Sequence, residues 1–246
     1  MTDHFLVEKA HQIATITLNR PEKRNPINVE MLKEFEAILL DLRDDAASRI
    51  VILTGSGNSF CAGADLSIVK GIDDEVEKQR IFAQARHQRI RLINRIFTML
   101  ENLEQASIAA INGYAIGGGW GLALACDFRL AVPGAQFWFP EVDLGVPLSL
   151  GTSARLFSMV GAGRAKEIIM MCSHHTSEEL LSWGMLSRIV PSEQLMDAAH
   201  EVATKLLAKH PRAITGSKLT VNALTEVAAR EFAHILPEVF IHSRGW

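Results

Sequence analysis

The chain alternates short apolar runs with longer amphipathic stretches. "IATITL" (13–18) sets β-branched residues at alternate positions and reads as a strand, while "RIVILTG" (49–55) is a near-continuous apolar run of the kind buried on both faces. Between them, Val29 to Leu42 carries apolar side chains at helical spacing, and "SIAAINGYAI" (107–116) predicts a further strand ahead of a run of glycines. From Asp73 to Leu103, the residues Phe82, Ile90, Ile93, Phe97 and Leu100 recur at near-helical spacing, predicting one long helix or two in tandem. Strand and helix in alternation require crossover connections, so the predicted class is α/β. Past "DFRLAV" (127–132) and the aromatic "AQFWFPE" (135–141), the pattern turns helical over 153–160, 165–171, 177–183, 194–209 and 214–232. That tail predicts a second, smaller helical module after an α/β body.

Composition adds exclusions. Of 246 residues, 48% are apolar and 22% charged, with a formal net charge of −3. These values are ordinary for a globular protein, and no bulk charge draws the chain to nucleic acid or an anionic membrane. Cys61, Cys126 and Cys172 are far apart and lack metal-ligand spacing, so they read as reduced, buried thiols. No stretch approaches the ~18 consecutive apolar residues of a spanning helix, and "MTDHFLVEKAHQ" lacks the core of a secretory signal. The expectation is a cytoplasmic protein with no membrane attachment. His174 and His175 adjoin in "CSHHTSEE", where "TSEE" reads as a helix N-terminus at Thr176 and no metal site is expected.

Two glycine-containing turns follow strands, "TGSGNSFCAGADL" (54–66) and "GYAIGGGWG" (113–121). Neither has the spacing of a nucleotide phosphate loop. Backbone N–H groups at two such turns instead make a natural oxyanion hole, and glycine keeps a side chain from blocking a substrate carbonyl. The competing reading is that the glycines only let a helix pack tightly on a strand.

These segments resemble the crotonase (enoyl-CoA hydratase/isomerase) superfamily. "ITLNRPEKRNPIN", "VILTGSGNSFCAGADL", "IAAINGYAIGGGWGLALACDFRLA", "FPEVDLGVP", "GRAKEIIM" and "LLSWGMLSRIVP" occur in the family's order and spacing over essentially the whole chain. The resemblance implies an α/β crotonase fold, with a spiral of ββα repeats over 1–195 and a C-terminal helical trimerisation region over 196–246. The family commonly continues through another helix beyond "IHSRGW". It implies a homotrimer or dimer of trimers acting on acyl-CoA thioesters, with no cofactor beyond the substrate's coenzyme A moiety. Carried over by position, the oxyanion amides are those of Ala64 and Gly118. Coenzyme A contacts fall at Lys23 and Arg24 in "PEKRN" and at Ala62 and Asp65 in "CAGAD".

The carboxylates bear on the reaction. Hydratases of this family place one glutamate shortly after the glycines and a second in a later "PE"; here those positions hold Gly121 and Glu141. Hydration uses one group to take a proton from water and another to deliver one to C2. A 3-enoyl to 2-enoyl shift needs one base, so isomerisation with Glu141 as sole acid–base group is the leading expectation. Phe137, Trp138, Phe139 and Pro140 are expected to desolvate that carboxylate and raise its pKa. Single-glutamate members also include hydratase-lyases and synthases, so a hydratase or hydratase-lyase is the alternative. The dehalogenase-like branch keeps an aspartate nucleophile where this chain has Ser149, which disfavours covalent catalysis. Asp143 is the one nearby acid, and two residues past Glu141 it shares the glutamate's face only where the extended segment stays regular.

A third possibility is a non-catalytic RNA- or partner-binding member. "KQRIFAQARHQRIRLINR" (78–95) holds six Lys/Arg and no acid. Its charges spread over several helix faces with few aromatics, so a solvated or intersubunit face is expected and nucleic acid is not.

Overall fold

The chain enters through a hairpin of β1 (Phe5–Ala10) and β2 (Ile13–Leu18). β1 is an element that the hydrophobic pattern does not announce. Only Phe5 of it is buried, and its two-residue turn is made by His11 and Gln12, both left-handed at φ 53° and 66°, without the Asn-Gly signal of such turns. The computed structural model describes residues 4–230, and their side chains except those of Val69, Glu75, Lys78, Gln79, residues 82–88, Leu150 and residues 225–230. The Phe82, Lys78 and Arg86 side chains of the predicted long helix, and residues 231–246 of the predicted helical module, lie outside that description.

Asn28 caps α1 (Val29–Asp44) by accepting from the Met31 amide at 2.8 Å, and Met31, Leu32, Phe35, Leu39 and Leu42 form its buried stripe. The chain then alternates between two sheets. β3 (Ile50–Gly55), β5 (Ala106–Ile111) and β7 (Phe128–Ala131) extend the hairpin into a six-stranded sheet of order β1-β2-β3-β5-β7-β10, with β10 at Arg188–Ile189. From β2 to β10 the pairing is parallel, with Ile16 opposite Leu53 and Leu53 opposite Ala109. All residues of β3 and β5 are buried, as expected of a parallel sheet covered on both faces.

The second strand of each pair joins a smaller sheet. β4 (Ser59–Cys61), β6 (Tyr114–Ile116), β8 (Gln136–Trp138) and β9 (His175–Thr176) lie in the order β4-β6-β8-β9. After β4, β6 and β8 come α2 (Glu75–Glu101), α3 (Gly118–Leu124) and α4 (Leu150–Met171). Three times, therefore, the chain lays a strand in the large sheet, a strand in the small sheet, and a helix. The one strand predicted over 107–116 is two strands in different sheets. The break is at Asn112, whose amide donates to the carbonyls of Gly55 (2.7 Å) and Gly57 (2.9 Å), and at Gly113, where a Cβ would collide with the Asn58 carbonyl.

The long predicted helix is the single α2. In α4, Gly161 leaves helical geometry (φ 73°, ψ 172°), so two helical segments meet there, as the separate patterns at 153–160 and 165–171 anticipate. Thr176 and Glu179 form a reciprocal capping box at the start of α5 (Ser177–Ser182). α6 (Leu195–Leu207) buries Leu195, Ala198, Ala199 and Ala203 against β3, β5 and β7. α7 (Pro211–Arg230) is tied to the body by Lys218, 2.9 Å from the Asp127 carboxylate. Among the described residues no helix is long and apolar enough to cross a membrane.

Candidate active site

Ala64, Gly118 and Glu141 follow β4, β6 and β8, three neighbouring strands of the small sheet. Adjacent strands lie about 4.8 Å apart, so the three groups reach one region from consecutive strands.

The first amide is aimed by a short extended ribbon. Ile27 pairs with Ala64 as a parallel bridge: the Ile27 amide donates to the Gly63 carbonyl (2.6 Å) and the Asp65 amide to the Ile27 carbonyl (2.9 Å). Across the trans 63–64 peptide, the Ala64 N–H must point opposite the Gly63 carbonyl, away from Ile27. The second amide belongs to the first residue of α3, where no preceding turn supplies an acceptor. Among the described residues neither the Ala64 nor the Gly118 N–H has a hydrogen-bond acceptor. Both residues line one cleft, open to solvent at its mouth.

The neighbouring glycines serve different ends. A Cβ on Gly63 would stand 2.6 Å from the Ile116 carbonyl, and one on Gly119 would collide with the Cys61 carbonyl. Gly117 caps α3 at φ 50°, ψ −119°, and a Cβ there would lie 3.0 Å from Glu141 Oε1. A Cβ on Gly118 would meet nothing nearer than Ile93 Cδ1 at 3.9 Å. Packing thus accounts for Gly63, Gly117 and Gly119, whereas Gly118 keeps the cleft open above its amide.

Glu141 is held by the turn after β8, its carbonyl accepting from the Val146 amide at 2.9 Å and that of Pro140 from Leu144 at 3.1 Å. The aromatic residues before it do not line the cleft. Phe139 stacks on Trp120 with centroids 4.4 Å apart, Phe137 tilts against the same ring at 5.7 Å, and Trp138 stacks on His174 at 4.0 Å. These contacts clamp β8 to α3 and so carry Glu141 to Gly117. Of the four predicted desolvating neighbours only Pro140 lines the cleft, whose other apolar walls include Ile93, Phe97, Ile116, Leu144 and Val146.

Gly121 lies one turn into α3, its amide donating to the Gly117 carbonyl at 2.9 Å. A Cβ there would stand 2.9 Å from Phe97 Cε2 and 3.0 Å from Thr152 Oγ1, so the place of a first hydratase glutamate is filled from α2 and α4. Thr152 is buried and bonds the Ser149 hydroxyl at 2.9 Å, while Ser149 caps α4. Glu141 is the only carboxylate among the described lining residues. Asp143 is exposed and outside the lining.

The predicted coenzyme A contacts divide. Ala62 lines the cleft, but its amide already donates to the Arg24 carbonyl at 2.9 Å. Lys23 and Arg24 are exposed and outside the lining, Arg24 lying over the Tyr114 ring at 5.1 Å. The Asp65 carboxylate is buried, paired with Arg20 at 2.8 Å and accepting from the Ser67 amide at 3.0 Å. Burial pushes its pKa up, but these bonds outweigh it and hold the carboxyl below its ordinary value. Its side chain anchors the loop that presents Ala64.

The residue missed from sequence is Arg89. It is 7% exposed and lines the cleft, although the basic run containing it was expected to form a solvated or intersubunit face. Burial presses its pKa down, while the charges of Asp65 and Glu141 act upward. The signal was its spacing, since 89, 93 and 97 form one helical stripe with Ile93 and Phe97. Other charges of the run do face outward, with Arg80 on Glu77 and Arg95 on Glu36.

The sequence profile of the enoyl-CoA hydratase/isomerase family matches residues 8–242. The chain is 36% identical over 221 residues to the short-chain-enoyl-CoA hydratase of Clostridium acetobutylicum, covering 89% of this chain and 81% of that one. Among solved structures, an enoyl-CoA hydratase from Bacillus anthracis superposes with a TM-score of 0.79 at 34% identity, over 94% of this chain and 90% of the other. A monofunctional enoyl-CoA isomerase from M. smegmatis gives 0.76 at 31%, over 92% and 95%. The two-sheet spiral, the paired amides and the profile agree: this chain is an enzyme of the enoyl-CoA hydratase/isomerase family, with the crotonase fold.

Proposed function

We propose that this enzyme shifts the double bond of 3-enoyl-CoA thioesters to the 2-position, using Glu141 as its one acid–base group. The observation that carries the reading is the closure at Gly121 by Phe97 and Thr152, which leaves one carboxylate among the described residues of the cleft. The thioester oxygen accepts from the Ala64 and Gly118 amides. Glu141 takes a proton from C2, the electron pair spreads through the dienolate onto that oxygen, and the protonated acid returns the proton at C4. The reaction is redox-neutral and calls for no group beyond the coenzyme A moiety. Lys23 and Arg24, exposed beside the ribbon that holds Ala64, meet its phosphates.

A second reading is hydration of 2-enoyl-CoA. It is favoured by the hydratase names of relatives such as the Clostridium acetobutylicum enzyme, and by the Ser149 and Thr152 hydroxyls in the cleft wall, which suit a bound water. Assay of 3-enoyl-CoA, crotonyl-CoA and cinnamoyl-CoA with product identification separates the two. Isomerisation is expected, falling by a factor on the order of 10²–10⁴ in Glu141→Gln. Rapid hydration of crotonyl-CoA without isomerisation would overturn the proposal.

A further inference from the structure

Arg89 and Glu141 are the only charged side chains among the described residues lining the cleft, and they have opposite sign. Arg89 comes from α2 and Glu141 from the turn after β8, so two separate units of the spiral bring them to one space. A carboxylate among apolar walls tends to hold its proton, whereas a base must begin without one. The transfer also moves negative charge rather than creating it. Before the step the charge is on Glu141; afterwards it is on the dienolate, whose oxygen faces Ala64 and Gly118. One fixed, poorly hydrated cation at the edge of that path offsets both states without reorganising.

We propose that Arg89 is the counter-ion of the proton shuttle, keeping Glu141 ionised before the transfer and offsetting the dienolate after it. This rests on the single-glutamate reading. Among the described residues, Asp65 pairs with Arg20, Arg155 with Glu101 at 2.5 Å, and Asp143 is exposed. Arg89 acts through Glu141 and the developing charge and is a positioning residue. Its loss therefore changes the pH dependence of the step as well as the rate.

The test is deuterium exchange at C2 of butyryl-CoA, followed by NMR across pH. Exchange needs only enolate formation and so does not presuppose isomerisation. In Arg89→Gln the acidic limb of kcat/KM is expected to move up by about one unit, the size of one nearby opposite charge, while Arg89→Lys keeps the wild-type limb. An unmoved limb in Arg89→Gln, or a loss confined to KM, would overturn the inference. Should Arg89→Gln not fold, the infrared difference between wild type and Glu141→Gln decides: a protonated Glu141 band at neutral pH overturns it, and an ionised one supports it. Wild-type exchange with the expected limb shift but no turnover of 3-enoyl-CoA would remove the isomerase reading and leave the role of Arg89 standing.

Discussion

Gly121→Ala is the smallest step toward the missing acid, and the structure sets its cost. Gly121 is helical, so a methyl group brings no backbone strain and removes the glycine penalty of about 1 kcal/mol. Against that gain, the new Cβ stands 2.9 Å from Phe97 Cε2, 3.0 Å from Thr152 Oγ1 and 3.3 Å from Thr152 Cγ2. Phe97 is 1% exposed and Thr152 3%, so neither has solvent to move into. Overpacking of this kind costs about 1–3 kcal/mol, leaving a net loss of about 1 kcal/mol. For a chain of this size that is a fall in Tm of about 2–4 °C. Thermal unfolding of Gly121→Ala, Phe97→Leu and the double variant reads both the loss and its cause. Because Phe97→Leu vacates the colliding position, the double variant should lose less than the sum of the singles by about 0.5 kcal/mol or more. A Gly121→Ala protein as stable as wild type, or strictly additive losses, would refute the view that this place is closed. The same closure predicts no gain in hydration from Gly121→Glu unless Phe97 and Thr152 are reduced with it.

Gly118→Ala should behave in the opposite way, because its Cβ meets nothing nearer than 3.9 Å yet faces the cleft. Tm should hold or rise, while kcat/KM falls about a hundredfold, the cost of displacing a reacting group by about 1 Å; a lower Tm with full activity would reverse the assignment. His175 is buried against Trp183 and Trp120, and burial lowers its pKa despite Glu179 and Glu167, with Arg164 and His174 adding to the lowering. Above the ordinary histidine value of 6.5 both folded and unfolded chains hold it neutral; below 6.5 the unfolded chain takes up the proton first. Urea stability should therefore fall as pH drops below 6.5, less so in His175→Gln, and equal slopes in the two proteins would discard the argument.

What the sequence made legible was local. β2, α1, β3 and the Thr176 cap follow from periodicity and capping chemistry, and the family resemblance singled out the Ala64 and Gly118 amides within the glycine turns. Fine placement came from contacts between distant segments. The division of 107–116 between two sheets depends on Asn112 reaching Gly55 and Gly57. β1 is almost wholly exposed and turns on two residues with no turn signature, so no pattern marks it. The aromatic run before Glu141 was visible, but its partners, Trp120 and His174, were not. Arg89 is the instructive miss, because charge alone assigned it outward while its register with Ile93 and Phe97 assigned it inward.

The alternation of strands between the two sheets has a consequence for how such a site changes. Each circuit of the chain brings one cleft-lining residue to the end of a small-sheet strand: the first the Ala64 amide, the second the Gly118 amide, the third the Glu141 carboxylate. The parts are modular, since the amides depend on backbone and the acid on a single side chain. A change at Glu141 therefore removes the acid and leaves both amides in place, whereas Gly121 shares its helix with Gly118, so filling that position strains the element that carries the second amide.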